Sequence, residues 1–252
     1  MRILVTFALD EEFAPWRRMR GFRRMAVTEP SIYGVRSGDA EVRVVLTGMG
    51  AQHARRSFQI AMAEGAEACV TSGLAGGLRS KYRSGDVLAA RVVRAASGGR
   101  FVKSDEALLR FAIACGAREA EAFLSAEQAV QSAKEKGRLG LCADAVEMES
   151  FTILNEAQAM HVPAVAVRVI GDPVSEELPL DFGRTLDEKG QVSARRVMME
   201  MARNPQRAAG VARLGRQTRR AATLLAEFLD RYITVLASWR TKTRIVESVV
   251  VG

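Results

Sequence analysis

Short apolar runs, separated by stretches with helical spacing, recur through the first 190 residues. Five of these runs are rich in β-branched residues, and they occupy positions 3–8, 42–47, 68–72, 87–93 and 164–170. Consecutive apolar positions are typical of strands that are buried on both faces of a central sheet. The pattern therefore predicts a domain built around a covered sheet.

The segment between the second and third runs predicts how the strands are connected. Residues 51–64, AQHARRSFQIAMAE, carry apolar side chains at helical spacing after the glycine-containing turn TGMG. Strand, turn, helix and strand in this order form a βαβ unit, which implies a partly parallel sheet. We therefore expect residues 1–190 to form one α/β domain.

Helical patterns replace the strand pattern after residue 190. A short helix is predicted over 194–201, ended by Asn204 and Pro205, and a longer helix over 208–236. The longer helix has an apolar stripe close to a heptad repeat, which consists of Val211, Leu214, Ala221, Leu225, Phe228, Tyr232 and Leu236. We expect residues 191–236 to continue the domain as basic helices and residues 237–252 to form a tail. Its last residues, IVESVVVG at 245–252, fit either a final strand or a mobile segment.

The positive charge of the chain is confined to this C-terminal region. Residues 1–190 hold 25 basic and 25 acidic side chains, whereas residues 191–252 hold 12 basic and 4 acidic ones. A neutral body is a poor platform for nucleic acid. The arginines of the long helix indicate either a solvated face or peripheral contact with anionic lipid, and they are Arg213, Arg216, Arg219 and Arg220.

Cysteine and histidine usage predicts a reduced compartment and no metal site. The three cysteines are scattered with no CxxC pair, and the chain has two histidines, His53 and His161. We interpret Cys69, Cys115 and Cys142 as reduced core thiols. The apolar run at the N-terminus is too short for a signal peptide, and no run reaches the length of a membrane span. These features predict a cytoplasmic protein.

Three glycine-containing turns follow predicted strands: TGMG at 47–50, SGLAGGL at 72–78 and IGDP at 170–173. Loops at the carboxyl ends of parallel strands form the ligand crevice of α/β sheets. Small residues there let backbone N–H groups approach an anion or a sugar closely. The dinucleotide fingerprint G-x-G-x-x-G and the P-loop pattern are not found after any strand.

Carboxylates stand at three predicted strand ends. Asp10, Glu11 and Glu12 follow the first strand, Glu147 and Glu149 end the stretch VEME, and Asp172 ends the fifth strand. If VEME is extended, its period of two places both of its glutamates on one side. Each acid taken alone fits a helix cap or a solvated turn. Their shared location predicts one crevice suited to cleavage of a glycosidic bond, with an acid for the leaving group and groups for the sugar and the nucleophile.

The motifs ALDEE, TGMG, SGLAGGL, AVEMES and VRVIGD, in this order, resemble the purine nucleoside phosphorylase and nucleosidase superfamily. The stretch up to about residue 175 is similar to methylthioadenosine/S-adenosylhomocysteine nucleosidases. Residues 178–221 are closer to the hopanoid-associated phosphorylases, which remove adenine from an adenosyl-hopanoid precursor. The resemblance implies a three-layer αβα domain with a mixed central sheet and a C-terminal helical extension.

The resemblance also implies a role for each motif residue. Asp172 would be the general acid at the purine N7, and Glu12 would orient a nucleophilic water. Glu149 would hold the ribose hydroxyls with Met148 packed on the ribose and Glu147 as a supporting group. Further substrate contacts would come from Ala75 and Gly76, along the ribose and nucleophile pocket, and from Gly50.

Two positions depart from the pattern of the relatives. Leu74 replaces a hydroxyl residue of the glycine turn, and the loop 125–136, SAEQAVQSAKEK, lacks the aromatic that usually stacks on the base. Phe123 or Phe151 is a candidate substitute. These departures favour a longer, apolar 5′-substituent over a small enclosed nucleoside.

The sequence leaves three functions open. We expect phosphorolytic release of adenine from an adenosine with a bulky 5′-group, with phosphate as co-substrate and no other cofactor. Arg79, Arg83 and Arg168 are nominal phosphate ligands, although surface or structural roles fit them as well. The alternatives are a hydrolytic methylthioadenosine/S-adenosylhomocysteine nucleosidase and a noncatalytic nucleoside or nucleic-acid binding protein. The resemblance implies a homo-oligomer, a dimer or larger, and the basic helix suggests a peripheral position at the inner membrane face.

Overall fold

The computed structural model describes residues 1–25, 29–179, 185, 187, 190, 196–199, 206 and 208–250, and only the backbone for 239–250. Eleven strands lie in this part of the chain and belong to one mixed sheet. They are β1 (Arg2–Phe7), β2 (Arg23–Arg24), β3 (Ile32–Ser37), β4 (Ala40–Leu46), β5 (Ala68–Thr71), β6 (Leu74–Gly77), β7 (Val87–Ala95), β8 (Phe101–Lys103), β9 (Arg118–Ser125), β10 (Ala145–Glu147) and β11 (Ala164–Asp172).

The centre of the sheet is parallel, and one end closes on itself. Strand β1 lies between β4 and β5, and all three run parallel with β11 beside β5. Strand β11 then pairs with β6 on one side and antiparallel with β7 on the other. Because β6, β10, β9 and β7 are paired in succession, these four strands and β11 form a closed ring.

Helices cover both faces of the sheet. They are α1 (Asp10–Arg20), α2 (Ala51–Ala61), α3 (Glu106–Ala114), α4 (Ala133–Leu139), α5 (Ser150–Ala159) and α6 (Ala208–Val250). One core contains the apolar faces of α1, α3 and α6, and a second core contains those of α2 and α5. Alternate residues of β1 enter the two cores, with Ile3 and Val5 in the first and Leu4 in the second. The predicted three-layer αβα architecture is therefore confirmed.

The predicted βαβ unit is present, and in the sheet its two strands, β4 and β5, are separated by β1. Helix α2 begins at Ala51 as expected, and a 3₁₀ turn over Met62–Glu64 completes the predicted segment. Strands β4 and β5 are both parallel to β1, which separates them. All five predicted strands occur within a few residues of their expected bounds.

Two predicted turns are partly strand. Leu74–Gly77, within the glycine turn 72–78, forms β6, and β11 continues through the turn at 170–173 as far as Asp172. Glycines at these positions allow strands to approach closely: a methyl group on Gly171 would lie 2.9 Å from Leu74 Cδ2. Glycine normally weakens a strand, so a glycine-rich stretch between strands indicates a turn from sequence alone.

Helix α6 belongs to the main core. Its predicted apolar stripe is buried at Ala221, Leu225, Phe228, Tyr232 and Leu236, and all five join the first hydrophobic core. Tyr232 Oη donates a 2.9 Å hydrogen bond to the Leu108 carbonyl of α3. Arg20 of α1 pairs with Asp230 and donates a 2.9 Å hydrogen bond to Thr234 Oγ1. The four arginines Arg213, Arg216, Arg219 and Arg220 are exposed.

The predicted end of this helix is wrong. The backbone remains helical from Ala208 to Val250, so α6 continues past the predicted end at Leu236, and residues 245–250 are helical rather than a strand. The apolar stripe predicted for α6 ends at Leu236. The helix continues beyond it because its hydrogen bonds lie within its own backbone. Of the short helix predicted over 194–201, residues 196–199 are helical, and the remainder, with Asn204 and Pro205, lies outside the described residues.

The three cysteines are free, but they are not all core thiols. Cys69 is buried, Cys115 is half-buried and Cys142 is exposed. Burial raises the pKa of the Cys69 thiol to about 12. No helix in the described ranges combines the length and the apolar character that crossing a bilayer requires.

Candidate active site

Glu12 is held at the start of α1 by backbone donors. Its Oε2 accepts hydrogen bonds from the N–H groups of Ala8 and Leu9, each at 3.1 Å. An acid at the third helical position commonly bonds back to the N-cap in this way. Its Oε1 accepts a 2.8 Å hydrogen bond from the N–H of Leu74. Glu12 is thus fixed at the carboxyl end of β1 against the beginning of β6.

Glu147 supports the neighbouring groups. Its Oε2 accepts hydrogen bonds from the N–H groups of Glu149 (3.0 Å) and Ser150 (2.8 Å), at the N-terminus of α5. The same oxygen lies 2.5 Å from Arg168 Nη2, and Oε1 accepts from the hydroxyl of Ser125. Every oxygen of Glu147 is therefore bonded to protein.

Glu149 is the N-cap of α5, just past the end of β10. Its Oε1 accepts a 2.8 Å hydrogen bond from the N–H of Gly50, and its Oε2 lies 3.5 Å from Arg168 Nη2. Strand β10 runs antiparallel to β6, so its carboxyl end meets the beginning of β6. The carboxylates of VEME reach the crevice by this arrangement, and only Glu147 is in the strand itself.

Arg168 is the cation of this cluster. It is 1 % exposed on β11, and its Nη1 donates a 2.8 Å hydrogen bond to the Ser72 carbonyl. Its Nη2 also bonds to Ser150 Oγ at 3.0 Å. Because its donors are engaged by protein groups, Arg168 is a structural partner of buried carboxylates rather than a free anion ligand.

Burial dominates the protonation of these acids. It raises the pKa of Glu12 against the opposing charge of Arg168. It also raises the pKa of Glu149 to about 7, where Arg168 opposes the shift and Glu147 adds to it. Removing a carboxylate from water penalises its charged form, and a second carboxylate nearby increases the penalty.

Asp172 ends β11 beside a buried lysine. Lys136 Nζ, from α4, donates to Asp172 Oδ2 and to the carbonyl of Glu176, the latter at 2.7 Å. Burial raises the pKa of Asp172 to about 6, although the ammonium of Lys136 acts in the opposite direction. A carboxylic acid with a pKa near neutrality is suited to general acid catalysis.

A cavity of about 170 Å³ joins these groups. Seven of the eight predicted site residues line it, namely Glu12, Ala75, Gly76, Glu147, Met148, Glu149 and Asp172. The eighth, Gly50, is not in the lining but donates its N–H to Glu149. At Gly76 a methyl group would lie 3.2 Å from Asp172 Oδ2, so the absence of a side chain leaves room beside the acid.

Several lining residues were not predicted from the sequence. Leu178 follows β11, and Leu214 and Thr218 come from α6, which forms one wall of the cavity. The aromatic-free loop contributes residues 128–130. Leu214 belongs to the apolar stripe of α6, which predicts only a core position. Residues 125–136 were expected near the base, but nothing in their sequence marks Lys136 as a partner of Asp172.

The proposed aromatic substitutes do not line the cavity. Phe123 is fully buried in the second hydrophobic core. Phe151 lines an adjacent pocket, where the guanidinium of Arg100 lies 5.3 Å from its ring centre. Met148 lies between the two spaces and lines both.

No arginine or lysine of the described chain lines the cavity. Arg168 is paired as described above, and Arg79 lies 3.4 Å from the buried Asp144. Arg83 is also outside the lining. Within the described residues, no group of three His, Cys, Asp or Glu side chains is arranged to hold a metal ion.

No protein-family model matches the sequence, and neither does any curated protein. Solved structures do match. A futalosine hydrolase mutant of Helicobacter pylori aligns with a TM-score of 0.70 at 18% identity, over 92% of this chain and 98% of that chain. The 5′-methylthioadenosine/S-adenosylhomocysteine nucleosidase of the same organism aligns with a TM-score of 0.71 at 18% identity, over 92% and 97% of the two chains. The Campylobacter jejuni nucleosidase of that name aligns with a TM-score of 0.71 at 17% identity, over 93% and 99%. The chain therefore has the fold of the methylthioadenosine/S-adenosylhomocysteine nucleosidases and of futalosine hydrolase.

Proposed function

We propose that this protein cleaves the N-ribosidic bond of an adenosine-type nucleoside and releases adenine. The observation that carries this proposal is the convergence of Glu12, Glu147, Glu149 and Asp172 on one small cavity. They come from three separate strand ends, and the pKa values of Glu12, Glu149 and Asp172 are raised. The shared fold with nucleosidases named for adenosine derivatives supports the choice of adenine as the leaving base.

In this proposal each carboxyl group has one task. Asp172 gives its proton to N7 of the purine while the bond between C1′ and N9 breaks and its electron pair moves into the base. Glu149 accepts hydrogen bonds from the ribose hydroxyls, which strengthen as the sugar gains oxocarbenium character. Glu12 accepts the proton of the water that attacks C1′. Met148 packs against the ribose, and Glu147 holds the backbone of Glu149.

The described lining favours water over phosphate as the nucleophile. A phosphate dianion requires cationic donors, preferably arginine. The described residues around the cavity include four acidic side chains and no basic one. The lining therefore supports hydrolysis better than the phosphorolysis that we expected from the sequence.

We propose an apolar 5′-substituent, of which an adenosyl-hopanoid is one example. Leu178, which follows β11, and Leu214, on α6, are apolar lining residues of the cavity. The loop residues 128–130 bring no aromatic ring to enclose a small nucleoside. A 5′-methylthio group is the smaller alternative of the same chemical character.

The test is adenine release from a panel of 5′-substituted adenosines, each with and without phosphate. Asp172→Asn removes the proposed acid, and we expect the rate to fall by about 100- to 10,000-fold. Glu12→Gln removes the proposed base. Its matched control is Glu11→Gln, because Glu11 occupies the same helical turn but is exposed.

Each result of this panel selects one function. Release without phosphate that is lost in Asp172→Asn and Glu12→Gln but kept in Glu11→Gln supports the nucleosidase. Release that requires phosphate replaces it with the phosphorylase. If no nucleoside yields free base and Asp172→Asn changes nothing, the enzyme proposal is wrong and a noncatalytic binding protein takes its place.

We also propose a homo-oligomer, a dimer or larger, with peripheral contact at the inner membrane face through α6. The exposed arginines of α6 support the membrane contact. Light scattering of the purified protein measures the subunit number, and a monomer at working concentration contradicts the first part.

A further inference from the structure

One fully buried cation beside the cavity has no role in the proposed reaction. Lys136 lies on α4, where its neighbours Lys134 and Glu135 are exposed. Its own side chain is 0 % exposed, and its ammonium group is the donor to Asp172 Oδ2. Lysine is almost never buried in this way unless it is paired.

The ammonium is held by acceptors on one short segment. Besides Asp172 it donates to the carbonyl of Glu176 at 2.7 Å and lies 3.5 Å from the carbonyl of Pro173. An ammonium has three donors, so these three acceptors match its capacity. The contacts fix the lysine and tie Asp172 to the chain that follows β11.

Among the described residues, Lys136 is the cation that contacts Asp172. Glu176, on the following segment, acts on Asp172 as a like charge. The other carboxylates of the cavity are Glu12, Glu147 and Glu149, and Arg168 on β11 is paired with the last two. Within the part of the chain that the structure describes, Lys136 is thus the cation paired with Asp172, and the other charged side chains of the cavity lining are acids.

We propose that Lys136 is the positioning residue of the general acid, holding Asp172 Oδ2 so that Oδ1 faces the substrate and stabilising the carboxylate left when the proton is transferred. This inference rests on the proposed function. Lys136 itself forms and breaks no covalent bond and transfers no proton in this step. The proton travels from Asp172 to the base, and the negative charge that remains on Asp172 lies beside a fixed ammonium.

Helix α6 is joined to the same segment. Gln217 Nε2 donates to both carboxylate oxygens of Glu176, each at 3.1 Å. Leu214 and Thr218, on either side of Gln217 in sequence, line the cavity. The helix that forms the cavity wall therefore also fixes the segment that holds Lys136.

The first test changes the charge of Lys136 and follows the pH dependence. Lys136→Met and Lys136→Gln remove the cation, and only the glutamine retains a hydrogen-bond donor. Loss of the cation raises the pKa of Asp172, so we expect the pH of maximal kcat/KM to move upward in both variants. Since the acid is also no longer held in place, kcat should fall by about tenfold or more with little change in KM.

The matched control is Lys134→Met, which removes the same charge from an exposed position two residues away on α4. It should leave both the rate and the pH optimum unchanged. A thermal melt of each variant shows whether it is folded. If Lys136→Met does not fold, Lys136→Gln carries the test.

The second test needs no substrate and uses the unaltered protein. The chain contains six lysines, so ¹⁵N-lysine labelling gives a simple NMR spectrum. We expect one ammonium signal to be protected from exchange and to shift at the pH where Asp172 titrates. This pH-dependent change in the chemical shift should be absent in Asp172→Asn.

The outcomes separate this inference from the proposed function. If the wild-type protein releases base but neither Lys136 variant moves the pH optimum, the inference is wrong and the function stands. If no base is released but the protected ammonium signal tracks Asp172, the pairing is established and the function is wrong. If no ammonium signal changes its chemical shift at the pH where Asp172 titrates, the inference is wrong whether or not base is released.

Discussion

Three buried carboxylates share one buried arginine at the centre of this site. Arg168 is bonded to Glu147 and Glu149, and its charge also acts on Glu12. One cation cannot offset the desolvation of three acids, so the pKa values of Glu12 and Glu149 rise despite it. Glu147, which takes the shortest contact with Arg168 and two backbone donors, is the member that anchors the others.

The raised pKa values predict a narrow pH optimum. The proposed acid, Asp172, must hold its proton, and its protonated fraction falls above a pKa of about 6. Glu149 must be ionised to accept from the ribose hydroxyls, and its ionised fraction falls below a pKa of about 7. We therefore expect kcat/KM for adenine release to be bell-shaped with its maximum between pH 6 and pH 7. A rate that keeps rising with pH through this range would contradict the role of Asp172 as acid.

Position 73 must be glycine because the side chains of Arg168 and Glu12 leave no room for a Cβ atom there. Its φ is +142°, and a methyl group there would lie 2.5 Å from Arg168 Nη1 and 2.8 Å from Glu12 Oε1. We expect Gly73→Ala to lower stability by about 1–3 kcal/mol and, by displacing Glu12, to abolish most base release.

The control for Gly73 is Gly38→Ala. Gly38 also has a positive φ, +56°, but no heavy atom lies within 4 Å of the added methyl group. This variant should lose some stability and keep its full rate per folded molecule, as measured by thermal melts and adenine release. Equal loss of activity in both variants would show that backbone strain, rather than contact with Glu12 and Arg168, is responsible.

At the scale of elements, α6 combines a structural and a site role. Its buried face completes the first hydrophobic core, and Leu214 and Thr218 line the cavity. The salt bridge of Arg20 with Asp230 and the hydrogen bond of Tyr232 join it to α1 and α3. Removal of the whole helix would therefore expose the core, and its surface role has to be tested by substitution.

Leu225→Ala tests the structural role of α6. Leu225 is fully buried in the first core, and its truncation should lower the free energy of unfolding by about 2–5 kcal/mol. Val235→Ala, on the exposed side of the same helix, should change it by less than about 0.5 kcal/mol. Denaturant unfolding measures both. Similar small losses in the two variants would mean that α6 is not part of the cooperative core.

At the scale of the whole molecule, charge is distributed unevenly. The first 190 residues are neutral, and the remaining 62 carry the net charge of +8. Four of the positive charges lie exposed on α6 while the opposite face is buried. A neutral body with one basic helical face is suited to a membrane surface rather than to wrapping a nucleic acid.

Substitution of these four arginines by glutamine tests the membrane proposal without disturbing the core. We expect the wild-type protein to bind vesicles containing anionic lipid and to lose binding as salt is added. The variant at 213, 216, 219 and 220 should bind at least about tenfold more weakly, since each surface charge contributes about 1 kcal/mol. A matched variant changes four exposed arginines of the body, Arg18, Arg23, Arg36 and Arg94. Equal binding of both variants and the wild type would rule out α6 as the contact.

The sequence by itself determined the class of fold, helix α2, the buried stripe of α6 and five strands, which are β1, β4, β5, β7 and β11. These follow from hydrophobic periodicity, which is a local property of the chain. It also placed Glu12, Glu149 and Asp172 at the ends of strands, and seven of the eight predicted site residues line the cavity. Their catalytic roles stay predictions until base release is measured.

Only the tertiary structure decided the electrostatics and the walls of the site. Strand β6 could not be predicted from its glycine-rich sequence, because it forms by pairing with β10 and β11, which are distant in the chain. Arg168 gave no local sign of its three carboxylate neighbours. Lys136 stands between exposed residues in a polar sequence, yet it is buried because Asp172 and Glu176 approach it from another part of the chain. Periodicity records which face of an element is covered, whereas charge pairing across a cavity is set by contacts between residues far apart in sequence.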